Sequence, residues 1–225
     1  MNASHAERIS AGLGLIWLIV ALGFVLVLAQ GAALPESPAP GTESPLAARG
    51  TGTTAAPAEA AVQPVSQAVS LQEQKALAEF IAKRWRIAEE AAARFVSLAY
   101  RAGSAHSVDP VLILAVMAIE SRYNPVAESG MGAKGLMQVI PRFHLEKLSD
   151  HGGEEKLLEP EVNIDVGAQI LREYYRRLRD EELALQMYAG AFDEPTSQYA
   201  NKVFAERARL EPIRQRARKQ TAQSV

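Results

Sequence analysis

The stretch "VDPVLILAVMAIESRYNP", Val108 to Pro125, decides the fold class. Asp109 followed by Pro110 is a helix start, because the Asp side chain can cap free N–H groups and Pro fits the first helical position. Every residue from Val111 to Ile119 is apolar, so the helix has no polar face to turn to water and must be enclosed by protein. Asn124-Pro125 forces it to stop, since the residue before a proline disfavours helical geometry. At its end stands an ionisable acid, Glu120.

The flanking sequence is helical in period and carries no alternating strand pattern. Leu77, Ile81, Ala88, Ala91, Phe95 and Leu98 recur at helical spacing and predict one amphipathic helix from about Leu71 to Ala102-Gly103. A short helix is expected around Leu136 to Ile140, ended by Pro141. Longer ones are expected over Asn163 to Leu178, Glu181 to Tyr188 and Gln198 to Leu210. The expectation is an all-α domain over residues 71–212 with a basic tail over 213–225.

Two segments precede it. No charge occurs between Arg8 and Glu36, and Ala11 to Ala29 is apolar throughout. Its length approaches the roughly 20 residues that cross a bilayer core. It exceeds the roughly 7–15-residue apolar region of a signal peptide, which favours a retained anchor over residues 1–30. Ala29, Gly31, Ala32 and Ala33 nevertheless permit cleavage, and both readings export the helical domain. Residues 31–70 hold six of the 12 prolines and no aromatic residue, so they read as a disordered tether.

The net charge of -2 gives no reason to expect a nucleic-acid partner. There is no cysteine, and His5, His106, His144 and His151 are scattered, so neither a metal nor another cofactor is expected. Arg207, Arg209, Arg214, Arg216, Arg218 and Lys219 read as a solvated helix end, with attraction to anionic wall polymers or lipid headgroups as the functional alternative. Trp85 is expected at the edge of the core.

Glu120 is the chemical feature. Partial burial disfavours its charged form, and the negative end of the helix dipole acts in the same direction. Arg122, two residues on, points away if the helix continues. An acid so placed holds its proton near neutral pH, as general acid catalysis requires. The plain alternative, an exposed Glu marking a helix end, is weakened by the loop downstream. "SGMGAKG", Ser129 to Gly135, has three glycines in seven residues, so its backbone can approach a ligand closely, and it leads directly to Gln138.

The order of these residues resembles the soluble lytic transglycosylase family, bacterial murein-cleaving relatives of goose-type lysozyme. The match lies in Glu120, Ser121, Tyr123, Asn124, Pro125, Ser129, Gly132, Ala133, Gly135, Leu136, Met137, Gln138 and Pro141, and extends to "NIDVGAQILREYYRRL" and "YANKV". One departure stands out: the family's Tyr-Asn-Ala-Gly appears here as Tyr188-Ala189-Gly190, without the Asn. The resemblance implies a lysozyme-like helical domain that cleaves peptidoglycan glycan strands between N-acetylmuramic acid and N-acetylglucosamine. Glu120 would act as acid and then base, giving a 1,6-anhydromuramoyl end. It implies Ser129, Met137, Gln138, Tyr188 and Tyr199 as groove residues, with Tyr188 positioning the acid and with core packing equally open for Met137 and Tyr199. With the N-terminal segment as an inner-membrane anchor, the domain would lie in the periplasm.

A substrate that supplies its own nucleophile explains why one carboxylate suffices, where hydrolysing glycosidases normally use two. Glu128, Glu161 and Asp165 read as surface or capping groups. Ser121 and Ser129 lack an adjacent His to activate them. A murein-binding scaffold without turnover and a hydrolytic muramidase are the competing readings.

Overall fold

The computed structural model describes residues 58–223, with side chains from Val69 onward. The segments read as anchor and signal, residues 1–30, and most of the tether lie outside the described residues. Among the described residues, no helix is long and apolar enough to cross a membrane.

Seven α-helices make the domain: α1 Ala58–Trp85, α2 Glu89–His106, α3 Pro110–Glu120, α4 Leu145–Ser149, α5 Pro160–Leu178, α6 Glu181–Tyr188 and α7 Gln198–Gln223. Short 3-10 turns at Pro141–Phe143 and Glu154–Leu158 flank α4. No strand forms among the described residues, and only isolated bridges join Lys134 to Glu128 and to Val139. The molecule is mainly helical, as expected.

α3 is the axis. Asp109 accepts a hydrogen bond from the Val111 N–H at 3.0 Å, and Pro110 opens the helix. All eight residues from Val111 to Ala118 are buried, packed between α2 and α7. Burying an aliphatic side chain contributes about 1.5–3 kcal/mol, so this helix anchors the domain despite its shortness.

The structure departs from the sequence expectations in four places. The single helix expected over 71–103 is two helices, because Arg86 adopts a left-handed conformation (φ 55°) that ends α1. α1 begins at Ala58, inside the span read as tether. No helix forms over 136–140; that segment is a turn held by side chains from elsewhere. The last helix does not end at Leu210 but runs through Pro212 to Gln223, so the basic tail is its continuation.

A proline inside a helix removes one backbone hydrogen bond. Here Leu210 and Ala217, on either side of it, are buried, and Ile213 packs on the core. Four arginines of α7 also form ion pairs with carboxylates. Arg207 and Arg214 reach Asp109 at 3.1 and 2.7 Å. Arg84 and Arg209 converge on buried Glu206 at 3.1 and 2.8 Å. Arg218 pairs with buried Glu73, which also accepts from the Tyr100 hydroxyl at 2.9 Å. A buried carboxylate without such partners would be strongly destabilising, so these pairs fix where α7 crosses α1 and α3.

Candidate active site

Glu120 is the last residue of α3 and lies where the buried helix meets the surface. The chain then turns sharply: Arg122 and Tyr123 both have positive φ, 53° and 62°. The turn sends Tyr123 back into the core, where its hydroxyl donates to the Leu114 carbonyl at 2.9 Å. Arg122 stays exposed, and among the described residues no cation pairs with Glu120.

The partner of the acid is Tyr199, near the start of α7, whose hydroxyl donates to Glu120 Oε1 at 2.6 Å. Burial pushes the Glu120 carboxyl up from 4.5 to about 7, and the Tyr199 hydrogen bond pulls partly the other way. Burial, followed by the nearby Glu120 charge, also holds the Tyr188 and Tyr199 hydroxyls well above their usual range. Both phenols therefore remain donors at neutral pH.

Beside the acid, the loop from Ala127 to Ile140 forms a wall joined to α3. The Gly135 N–H donates to the Ala127 carbonyl at 2.8 Å, and Lys134 and Val139 exchange backbone hydrogen bonds at 2.9 and 3.0 Å. Ser121 fastens this loop to α3, its Oγ donating to the Leu136 carbonyl at 2.7 Å. Tyr188 fastens it to α6, its hydroxyl donating to the Met137 carbonyl at 2.7 Å. Asn163, fully buried on α5, does the most. Its Oδ1 accepts from the Met137 N–H at 2.7 Å, and its Nδ2 donates to the Lys134 and Leu157 carbonyls at 2.8 Å each. Gly135 (φ 76°) is needed here, since a Cβ would lie 2.3 Å from Asn163 Nδ2.

The six expected site residues thus sort by geometry. Glu120 and Tyr199 are in direct contact. Tyr188, expected to position the acid, grips the Met137 carbonyl; the hydroxyl on Glu120 belongs to Tyr199. Met137, expected to line a groove, is fully buried, because Gly167 on α5 leaves room for its thioether. Its side chain is core, and its backbone N–H and carbonyl take the bonds to Asn163 and Tyr188. Ser129 Oγ accepts from the Met131 and Ala133 N–H groups at 3.3 and 3.1 Å, bracing the loop tip. Gln138 (φ 49°) donates from Nε2 to the Ala127 and Gly135 carbonyls at 3.0 and 3.1 Å. Ser129 and Gln138 are both partly exposed on this wall.

The other carboxylates are engaged elsewhere. Glu128 pairs with Lys134 at 3.9 Å, Glu161 with Arg101 at 2.7 Å, and Asp165 lies between His106 at 2.8 Å and His151 at 3.5 Å. Sequence reasoning misses Asn163. Its signal is a polar residue on the inward face of an amphipathic helix, one turn from Gly167.

The domain is helical, with a carboxyl raised by burial at the end of a buried helix and a glycine-bearing loop fastened beside it. The comparisons agree: residues 97–208 match the transglycosylase SLT domain family. The chain belongs to the soluble lytic transglycosylase family. Over 112 residues it is 35% identical to membrane-bound lytic murein transglycosylase C of Histophilus somni strain 2336, covering 47% of this chain and 28% of that protein. It is 35% identical over 107 residues to the transglycosylase of Enterobacteria phage PRD1, covering 45% and 38%. The chain thus matches well under half the length of these relatives. Among solved structures, the 70 kDa soluble lytic transglycosylase of Escherichia coli is 21% identical with a TM-score of 0.47, over 67% of this chain and 30% of that one.

Proposed function

We propose that this chain is a murein lytic transglycosylase, cleaving the bond between N-acetylmuramic acid and N-acetylglucosamine with Glu120 as its one acid–base group. The observation that carries this reading is the Glu120 environment: a carboxyl raised to about 7 by burial, with a tyrosine hydroxyl at 2.6 Å and, among the described residues, no cation or second carboxylate bonded to it. Such a group is protonated at mildly acidic to neutral pH and loses its proton readily once a strong acceptor forms.

In the first step the Glu120 proton passes to the glycosidic oxygen as the bond from the muramoyl anomeric carbon to that oxygen breaks. Tyr199 keeps its hydrogen bond as Glu120 becomes carboxylate, stabilising the charge at the moment it appears. In the second step the muramoyl 6-hydroxyl attacks the anomeric carbon, and its proton returns to Glu120. The product is a 1,6-anhydromuramoyl end, no water is consumed, and the acid is regenerated. The loop that carries Gly135, Gln138 and Ser129, fastened to α3 by Ser121, is the candidate sugar-gripping surface. Curated relatives of this segment carry the name lytic murein transglycosylase, which supports the substrate class.

We further propose that the apolar stretch from Ala11 to Ala29 retains the domain at the inner membrane, facing the periplasm. Protease accessibility and membrane fractionation of the full chain test this placement.

Incubating the chain with purified murein and analysing the products by mass spectrometry tests the reaction. Anhydromuropeptides are expected from the wild type and none from Glu120→Gln, with binding retained in both. Reducing muramic ends would select hydrolysis, and binding without product would select a scaffold; either outcome overturns the reading.

A further inference from the structure

The chain between α6 and α7 has no regular structure, yet its far end must deliver Tyr199 to Glu120. One buried side chain ties the two ends of this loop together. Gln186 is 1% exposed, and both halves of its amide are engaged. Its Oε1 accepts from the N–H of Ala200, the neighbour of Tyr199, at 3.0 Å. Its Nε2 donates to the Ala191 carbonyl at 2.9 Å, with Glu194 Oε2 at 3.5 Å. Its backbone carbonyl accepts from the Ala191 N–H at 2.8 Å. Glu194 braces the same loop from outside, accepting from the Thr196 and Gln198 N–H groups at 2.9 and 2.8 Å.

A buried amide is tolerated only when its donor and acceptor are both satisfied. Gln186 meets that demand chiefly with loop backbone, in the stretch where Tyr188-Ala189-Gly190 lacks an Asn. We propose that Gln186 is a positioning residue for the acid: it holds the 189–197 loop closed, so that the Tyr199 hydroxyl stays on Glu120 Oε1. The catalytic consequence rests on the transglycosylase reading; the positional one does not.

The groups facing Glu120 are the hydroxyls of Tyr188 from α6 and Tyr199 from α7, and among the described residues it has no ion pair. A hydrogen bond from Tyr199 favours the carboxylate, so loosening that bond raises the pKa of the acid.

The test is an NMR titration of the Glu120 carboxyl in the full chain with isotope-labelled glutamate. Tyr199→Phe is expected to raise its midpoint by about one pH unit, as loss of a hydrogen bond to a charged group implies. Gln186→Met should raise it by about half as much, and by nothing further in the Tyr199→Phe background. A merely structural role would lower stability in both backgrounds and leave the midpoint unmoved, which overturns the proposal. If Gln186→Met fails to fold, Glu194→Ala reads the same brace from the exposed side. Deleting an acid alone lowers the midpoint, so an upward shift reports lost positioning, and a downward or absent shift counts against it. The titration needs no murein. Failure to cleave would therefore sink the functional reading while leaving this one tested.

Discussion

Replacing Glu120 by glutamine should stabilise this protein at alkaline pH and do almost nothing at acid pH. Burial moves the carboxyl from 4.5 to about 7 in the native state, whereas in the unfolded chain it returns to its ordinary value. Between those values the native state binds the proton more tightly, so stability is full below the lower value and is lost as pH rises through the upper one. Each pH unit in that window contributes about 1.4 kcal/mol, so full ionisation destabilises the native state by about 3 kcal/mol. Partial exposure of the side chain brings the expected figure to about 2–3 kcal/mol. Glutamine mimics the protonated acid: it is neutral, similar in size, and its Oε1 can still accept from Tyr199.

Urea denaturation of wild type and Glu120→Gln at about pH 4 and about pH 8 isolates this group, because every other titration is common to both proteins. The two midpoints should nearly coincide at the lower pH, with the variant ahead by about 2–3 kcal/mol at the higher. Parallel pH dependences in the two proteins would refute the claim that burial holds this acid protonated. Equal destabilisation at both pH values would show a packing role alone.

The same geometry carries three further outcomes. Murein cleavage should fall as pH rises through about 7, where the acid loses its proton, and initial rates across pH read that limb directly. Asn163→Ala would leave the Met137 N–H and the Lys134 and Leu157 carbonyls without their side-chain partner, destabilising by about 3–5 kcal/mol in chemical denaturation. Gly167→Ala places a Cβ 2.5 Å from Met137 Sδ and 2.9 Å from its Cβ. The expected overpacking penalty is about 1–3 kcal/mol, read by thermal unfolding, and wild-type stability would mean that Met137 is not locked against α5.

Sequence alone reveals whatever is determined locally. α3 is legible because its cap, its first proline, its apolar run and its stop all lie within eighteen residues. α6 is legible for the same reason, with Asp180 capping the Leu183 N–H at 2.8 Å. The break at Arg86 is hidden because the apolar spacing from Ile81 to Ala88 continues in phase across it. The start of α1 is hidden because a Pro/Ala-rich composition suits a tether, while its alanines also favour helix. The 136–140 segment reads as helix because "GLMQVI" is apolar and short, whereas its turn is imposed by Asn163 and Ser121 from distant positions.

The same distinction explains why the acid is legible in the sequence and its partner is not. Glu120 betrays itself by standing at the end of a run that should be aliphatic. In one dimension Tyr188 is the expected neighbour, and only the crossing of α7 over α3 brings the Tyr199 hydroxyl to the acid instead. That crossing is fixed by Asp109 and Glu73 with arginines of α7, and by Glu206 of α7 with Arg84 of α1. The basic helix that resembles a solvated tail is therefore part of what brings Tyr199 to the acid. Arg214→Ala should therefore shift the Glu120 midpoint in the same NMR titration, even though Asp109 caps the other end of α3, and an unmoved midpoint would refute this coupling.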